Sequence, residues 1–86
     1  MEDRPRSRPS CHVRKVGEEH VVYSPDSHEV VILNPTANLI FSLCDGENTV
    51  AMVLDSLEQR FQATRDALQR DLLATLAHFQ ASGLLE

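Results

Sequence analysis

The residues of this 86-residue chain best suited to chemistry are four histidines, two cysteines and one short run of oxygen-bearing side chains. His12, His20, His28 and His78 are scattered. His20 and His28 flank one turn and would be able to face each other across it, but two histidines without a carboxylate at ligand spacing do not make a zinc or copper site. Cys11 and Cys44 form no CxxC pair. With no export signal, the default for both is a free thiol in a reducing cytoplasm. Asp45-Gly46-Glu47-Asn48 offers oxygen ligands but is far shorter than the calcium loop of about 12 residues. Gly17, Gly46 and Gly83 stand alone, so no phosphate-cradling loop is present, and no GxSxG or Cys–His signature supports a nucleophile. These residues give no reason to expect catalysis, a resident metal or a cofactor.

The elements that carry them read clearly. HVRKV (12–16) is a short strand, Gly17-Glu18-Glu19 a turn, and HVVYS runs through Pro25-Asp26-Ser27 into HEVVIL, a β-hairpin rich in Val, Ile and Tyr. The third strand is unusual. Val30, Val31, Ile32 and Leu33 are all apolar, whereas a strand with one solvated face alternates. Its second face therefore needs a helix, a partner or a ligand to cover it. Three helices follow. Asn34 caps the first and Pro35 suits its opening position; Ala37, Ile40, Phe41 and Cys44 line one side, and Asp45-Gly46 ends it. Thr49 caps the second, with a stripe of Val50, Val53, Leu54, Leu57 and Phe61. Thr64 caps the third, whose stripe is Leu68, Leu72, Leu76 and Phe79, closed by Gly83 with Leu84 and Leu85 returning to the core. Beside that stripe, Leu73 and Ala77, flanked by Gln69 and Gln80, make the helix wider than its core requires. This strip is a candidate second wall for a groove along the third strand.

Charge is unevenly spread. In residues 1–15, Arg4, Arg6, Arg8, Arg14 and Lys15 outnumber Glu2 and Asp3 by three. The rest of the chain carries the acidic excess that brings the total to −5. An acidic body repels phosphate backbones, which argues against nucleic-acid binding. No apolar run approaches the roughly 20 residues of a membrane span. Residues 1–11, MEDRPRSRPSC, hold two prolines and no large apolar residue after Met1, which predicts a disordered basic arm. Residues 12–86 then form one small domain, burying roughly 60% of its unfolded surface.

The string VVILNPTANLIFSLCDG (30–46) resembles the PqqD family, the small peptide chaperones of pyrroloquinoline-quinone biosynthesis and their relatives, also called RiPP recognition elements. The strand running into LN-x-T-A, the helix ending in Asp-Gly, and the closing Asp71-Leu72, Leu76, Phe79 and Gly83-Leu84-Leu85 are similar to the family's pattern over about residues 12–86. Met52 departs from it, standing where relatives often place an acidic residue to complete a capping box. The resemblance implies an α+β, winged-helix-like fold with a three-stranded antiparallel sheet followed by three helices. It also implies a function: binding the leader segment of a ribosomally made precursor peptide and presenting it to a modifying enzyme, either a radical SAM enzyme or a lasso-peptide peptidase or cyclase. In that family the leader adds as a strand, so main-chain bonds supply affinity and side-chain pockets selectivity. Carried onto this chain, the peptide-binding edge is Val30, Val31, Ile32 and Leu33, and the opposite wall is Gln69, Leu73, Leu76, Ala77 and Gln80.

Two other readings share the same elements. A winged-helix DNA-binding regulator needs cations on its recognition helix, and the third helix offers Arg65 and Arg70 against Asp66 and Asp71. A structural domain would use the apolar edge to form a homodimer.

Overall fold

The computed structural model describes residues 3–86. The order is β1 (His12–Val16), β2 (Glu19–Ser24), β3 (Glu29–Leu33), α1 (Pro35–Leu43), α2 (Val50–Arg60) and α3 (Arg65–Ala81). The strands form one antiparallel sheet in the order β1-β2-β3, so β3 has one edge against β2 and, among the described residues, one edge free of any strand. All three N-caps act as read: Asn34, Thr49 and Thr64 each accept a hydrogen bond from the third residue onward, Ala37, Met52 and Ala67. At α2 the Met52 sulfur takes the place of a carboxylate and accepts from the Thr49 N–H at 3.5 Å. The capping box therefore closes, with a weaker acceptor.

The core lies between the inner face of the sheet and the three helices. Val22, Leu33, Ile40, Val53, Leu54, Leu57, Leu72, Phe79 and Leu84 are fully enclosed. Phe41 and Phe79 meet edge to face with centroids 5.5 Å apart, the geometry favoured by aromatic quadrupoles. The end of α3 is latched to the β2–β3 turn. Ser27 Oγ donates to the Ser82 carbonyl at 2.8 Å, and Ser24 Oγ donates to that of Gly83 at 3.3 Å. Gly83 has φ +75°, and a Cβ there would stand 2.9 Å from the Ser27 side chain, so both conformation and space require glycine.

Two expectations need correction. The first is the disordered arm, whose first two residues lie outside the described ones. Residues 3–8 thread between the α1–α2 turn and the C-terminal tail. Ser7 N–H donates to the Cys44 carbonyl, Arg8 N–H to Leu84, Gly46 N–H to Pro5, Val50 N–H to Asp3 and Glu86 N–H to Arg6, at 2.8–3.1 Å. Arg6 pairs with Glu86 at 3.1 Å, and Arg4 donates to the Glu47 carbonyl. Composition missed this because the arm is held by its main chain, which satisfies backbone groups at helix ends. Its cations also meet an acidic body. The second correction concerns His20 and His28. The β2–β3 register pairs His20 with Leu33 and Ser24 with Glu29, so His28 lies in the turn at the far end of the hairpin.

Candidate functional site

The sheet register sorts β3 into two sets. Val31 and Leu33 face inward, at 7% and 1% exposure, and anchor the strand in the core. Val30 and Ile32 face outward, at 60% and 64%. The all-apolar strand is therefore covered on one face and open on the other. Its free edge presents main-chain groups that no strand among the described residues takes up, the arrangement to which an extended peptide can add.

A groove of about 310 Å³ runs along this edge, lined by Val31, Ile32, Leu33 and Asn34 on the strand side, Ala37 on α1, and Ala74, Thr75, His78 and Phe79 on α3. It continues into a second cavity of about 260 Å³ that shares Asn34, Ala37, Ala74 and Thr75 and adds Thr36 and Asp71. The floor is made of small side chains, which leaves depth for a strand and its inward side chains. The groove is apolar toward Phe79 and polar toward Asp71.

Of the sequence-derived site residues, Val31, Ile32 and Leu33 line the groove, while Val30 lies one step away on the outer sheet face. The helix wall differs. Gln69, Leu73, Leu76, Ala77 and Gln80 do not line it. Each residue turns a helix by about 100°, so Ala74, Thr75 and His78 fall on one side of the Leu68–Leu72–Phe79 stripe and the expected strip falls on the other. Leu73, Leu76, Ala77 and Gln80 instead border an open cavity of about 480 Å³ lined on its other side by Asp3, Arg4 and Pro5 of the N-terminal segment. Periodicity identifies two flanks but cannot say which one meets the strand. The run of small residues at 74 and 75, facing Ala37, is the sequence signal that marks the groove side.

The remaining chemistry-bearing residues are dispersed. His78 lines the groove, His12 a cleft on the outer sheet face, and His20 a cleft with Glu18 and Arg60 that runs along α1 from Pro35 to Ser42. Among the described residues no three His, Cys, Asp or Glu side chains gather where they could hold a metal ion. Cys44 is buried and its thiol donates to the Ile40 carbonyl at 3.2 Å. Burial, helped by the neighbouring Asp45 charge, pushes its pKa up to about 12. Asp45 is held below the usual carboxylate range because it accepts from the Glu47 and Asn48 N–H groups, so it organises the α1–α2 turn rather than a calcium site. On α3, Arg65 is engaged by Asp55 and Glu58 of α2, which withdraws a cation that a DNA-reading helix would need.

Comparison with known proteins places the fold and the family. The family model for coenzyme PQQ synthesis protein D (PqqD) matches residues 19–85. PqqA binding protein 2 of Pseudomonas putida is 39% identical over 57 residues, which cover 66% of this chain and 62% of that protein. The chain thus matches less than two thirds of that relative's length. Among solved structures, a lasso peptide synthetase B1 complexed with its leader peptide superposes with a TM-score of 0.83 at 25% identity, covering 96% of this chain and 98% of that one. TbiB1 in complex with the TbiA(beta) leader peptide superposes at 0.82 with 18% identity, covering 94% of each chain, a likeness of fold. With the family model spanning most of its length, from the second strand to the C-terminal tail, this chain belongs to the PqqD family.

Proposed function

We propose that this protein is a non-catalytic peptide-recognition domain that takes up the leader segment of a ribosomally synthesised precursor as an added strand on β3. It then presents that peptide to the modifying enzyme in the cytoplasm. The observation that carries the reading is the strand-free edge of β3 facing a groove floored by Ala37, Ala74 and Thr75. Main-chain groups of Val30–Leu33 supply the ladder, and Ile32, Thr75 and His78 contribute the pockets that select side chains. The named activity of the Pseudomonas relative and the leader peptides bound to the two structural neighbours support the same role. The enzyme partner is one that acts on leader-bearing precursors, a radical SAM maturase or a lasso-peptide peptidase or cyclase.

The test is an NMR titration of the full chain with synthetic leader peptides, beginning with PqqA and continuing with short precursors encoded beside the gene. The expected result is saturable binding at micromolar or lower concentration, with amide shifts confined to residues 30–34 and 71–78. Binding that leaves those amides unmoved, or no binding by any leader, overturns the proposal. Saturable shifts produced by duplex DNA would favour the regulator reading instead.

A further inference from the structure

The two ends of the groove along β3 differ in charge. Asp71 lines the end near Asn34 and Thr36, where β3 passes into α1. Among the described residues it is the one Asp, Glu, Lys or Arg side chain on either part of the groove wall. Its own helix does not neutralise it, because the positions three and four residues away are Ala67, Leu68, Ala74 and Thr75. The facing wall adds half a charge at most. The N-terminus of α1 is equivalent to about +0.5, and the Asn34 side chain already accepts from the Ala37 N–H there. The full negative charge of Asp71 therefore sets the sign of this end. The other end is apolar, formed by Leu33, Ala37, Ala74 and Phe79.

An added strand samples both ends in turn. Its side chains alternate, so those pointing into the groove are two residues and about 6.7 Å apart. On α3, the step from the Ala74–Phe79 end to the Asp71–Thr75 end is three to four residues, or about 5 Å. Two successive inward side chains therefore fit one at each end. Resting on the peptide reading above, we infer that the groove selects leader segments in which an apolar anchor and a Lys or Arg stand two residues apart, the anchor on Phe79 and the cation beside Asp71. A carboxylate at that position would lose water next to a like charge, and an uncharged residue would cover Asp71 without pairing it. Asp71 adjoins the C-terminal end of β3, so antiparallel addition puts the cation before the anchor and parallel addition puts it after.

The probes are blocked Thr/Ser peptides of roughly nine residues with a central Leu. Lys, Gln or Glu stands two residues before the Leu or two after it. Two controls carry Lys directly beside the Leu, where an added strand points it out of the groove. Each is titrated into the full chain and read by amide shifts. In the order that the strand adopts, the Lys peptide should bind about fivefold more tightly than its Glu counterpart, with Gln between and the shifts at residues 30–34 and 71–78. The Lys control should bind like the Gln peptide. It has the same charge as the Lys peptide, so general attraction to a chain of −5 does not separate the two. Asp71→Asn should level the Lys, Gln and Glu peptides. Asp66→Asn, the same change of charge on α3 but outside the groove, should keep the preference. Binding at these amides without a charge order, with Glu preferred, or with the preference kept in Asp71→Asn overturns the inference and leaves the peptide reading standing. A leader that binds there while none of the short peptides does also overturns it, since the spacing is then not what the groove reads. Failure of every leader and every peptide removes the peptide reading, and the inference with it.

Discussion

The two flanks of α3 have opposite fates. One flank, with Leu73, Ala77 and Gln80, is the more apolar, and it borders a cavity lined on its far side by the N-terminal segment while its own side chains stay exposed. The other, with Ala74, Thr75 and His78, is smaller and more polar, and it stands open beside the free edge of β3. Between them the Leu68–Leu72–Phe79 stripe is buried in the core. The contrast separates two properties that sequence patterning merges. Apolarity marks where a helix can bury surface, and Leu73 shows that such a residue can still stand exposed away from the strand edge. A binding groove needs main-chain groups left free and a floor low enough for another backbone to approach, which small residues provide.

The largest effect tests the stripe that holds both flanks in place. Phe79→Ala removes a fully buried ring packed on Phe41 and should cost about 3–5 kcal/mol, read by denaturant unfolding. Loss of less than about 1 kcal/mol would mean that the flanks are not organised by this packing. Next comes the flank beside the N-terminal segment. Ser7→Pro deletes the N–H that donates to the Cys44 carbonyl and should cost about 1–3 kcal/mol by leaving that acceptor unpaired. Unchanged stability would show that the segment contributes no hold on the body.

The open flank is tested by binding. Thr75→Arg fills the groove and should weaken leader binding at least tenfold, whereas Leu73→Glu on the flank away from the β3 edge should change it less than threefold. Isothermal titration of both variants, with circular dichroism to confirm folding, decides between the flanks. The reverse order would restore the wall inferred from apolarity. A smaller effect concerns α2, whose first N–H donates to the Asp3 carbonyl of the same segment. Met52→Glu replaces a sulfur acceptor by a carboxylate in the capping box and near the helix N-terminus, and should raise stability by about 0.5–1 kcal/mol. A fall in the melting temperature would contradict that assignment.

The smallest effect is a pH dependence at the turn the segment crosses, where the main chain of Arg6 runs antiparallel to that of Asp45. Asp45 has a lowered pKa in the folded protein, so its contribution is present above the ordinary carboxylate value. It is lost as pH falls through the lower folded value. Asp45→Asn should therefore lower the melting temperature at pH 7, and the gap from the parent should close as the solution is acidified below about pH 4. A gap independent of pH would assign the effect to packing.

Much of this protein was legible in its residues because the signals are local. Strand and helix order follow from period and caps: Asn34, Thr49 and Thr64 each satisfy an orphan N–H three residues on, whatever the tertiary context. The anomaly of Val30–Leu33 also showed itself locally, since an all-apolar strand announces a face needing cover. The LN-x-T-A and Asp-Gly pieces carried the family likeness for the same reason. What only the tertiary structure decided is which surfaces meet. A helical stripe has two flanks related by rotation, and nothing along one helix says which turns toward β3. Packing of α1 and α2 settles that for Ala74 and Thr75. The ordering of residues 3–8 was equally non-local. Their hydrogen-bond partners at Cys44, Leu84 and Val50 become neighbours only after α1, α2 and the C-terminal tail have come together.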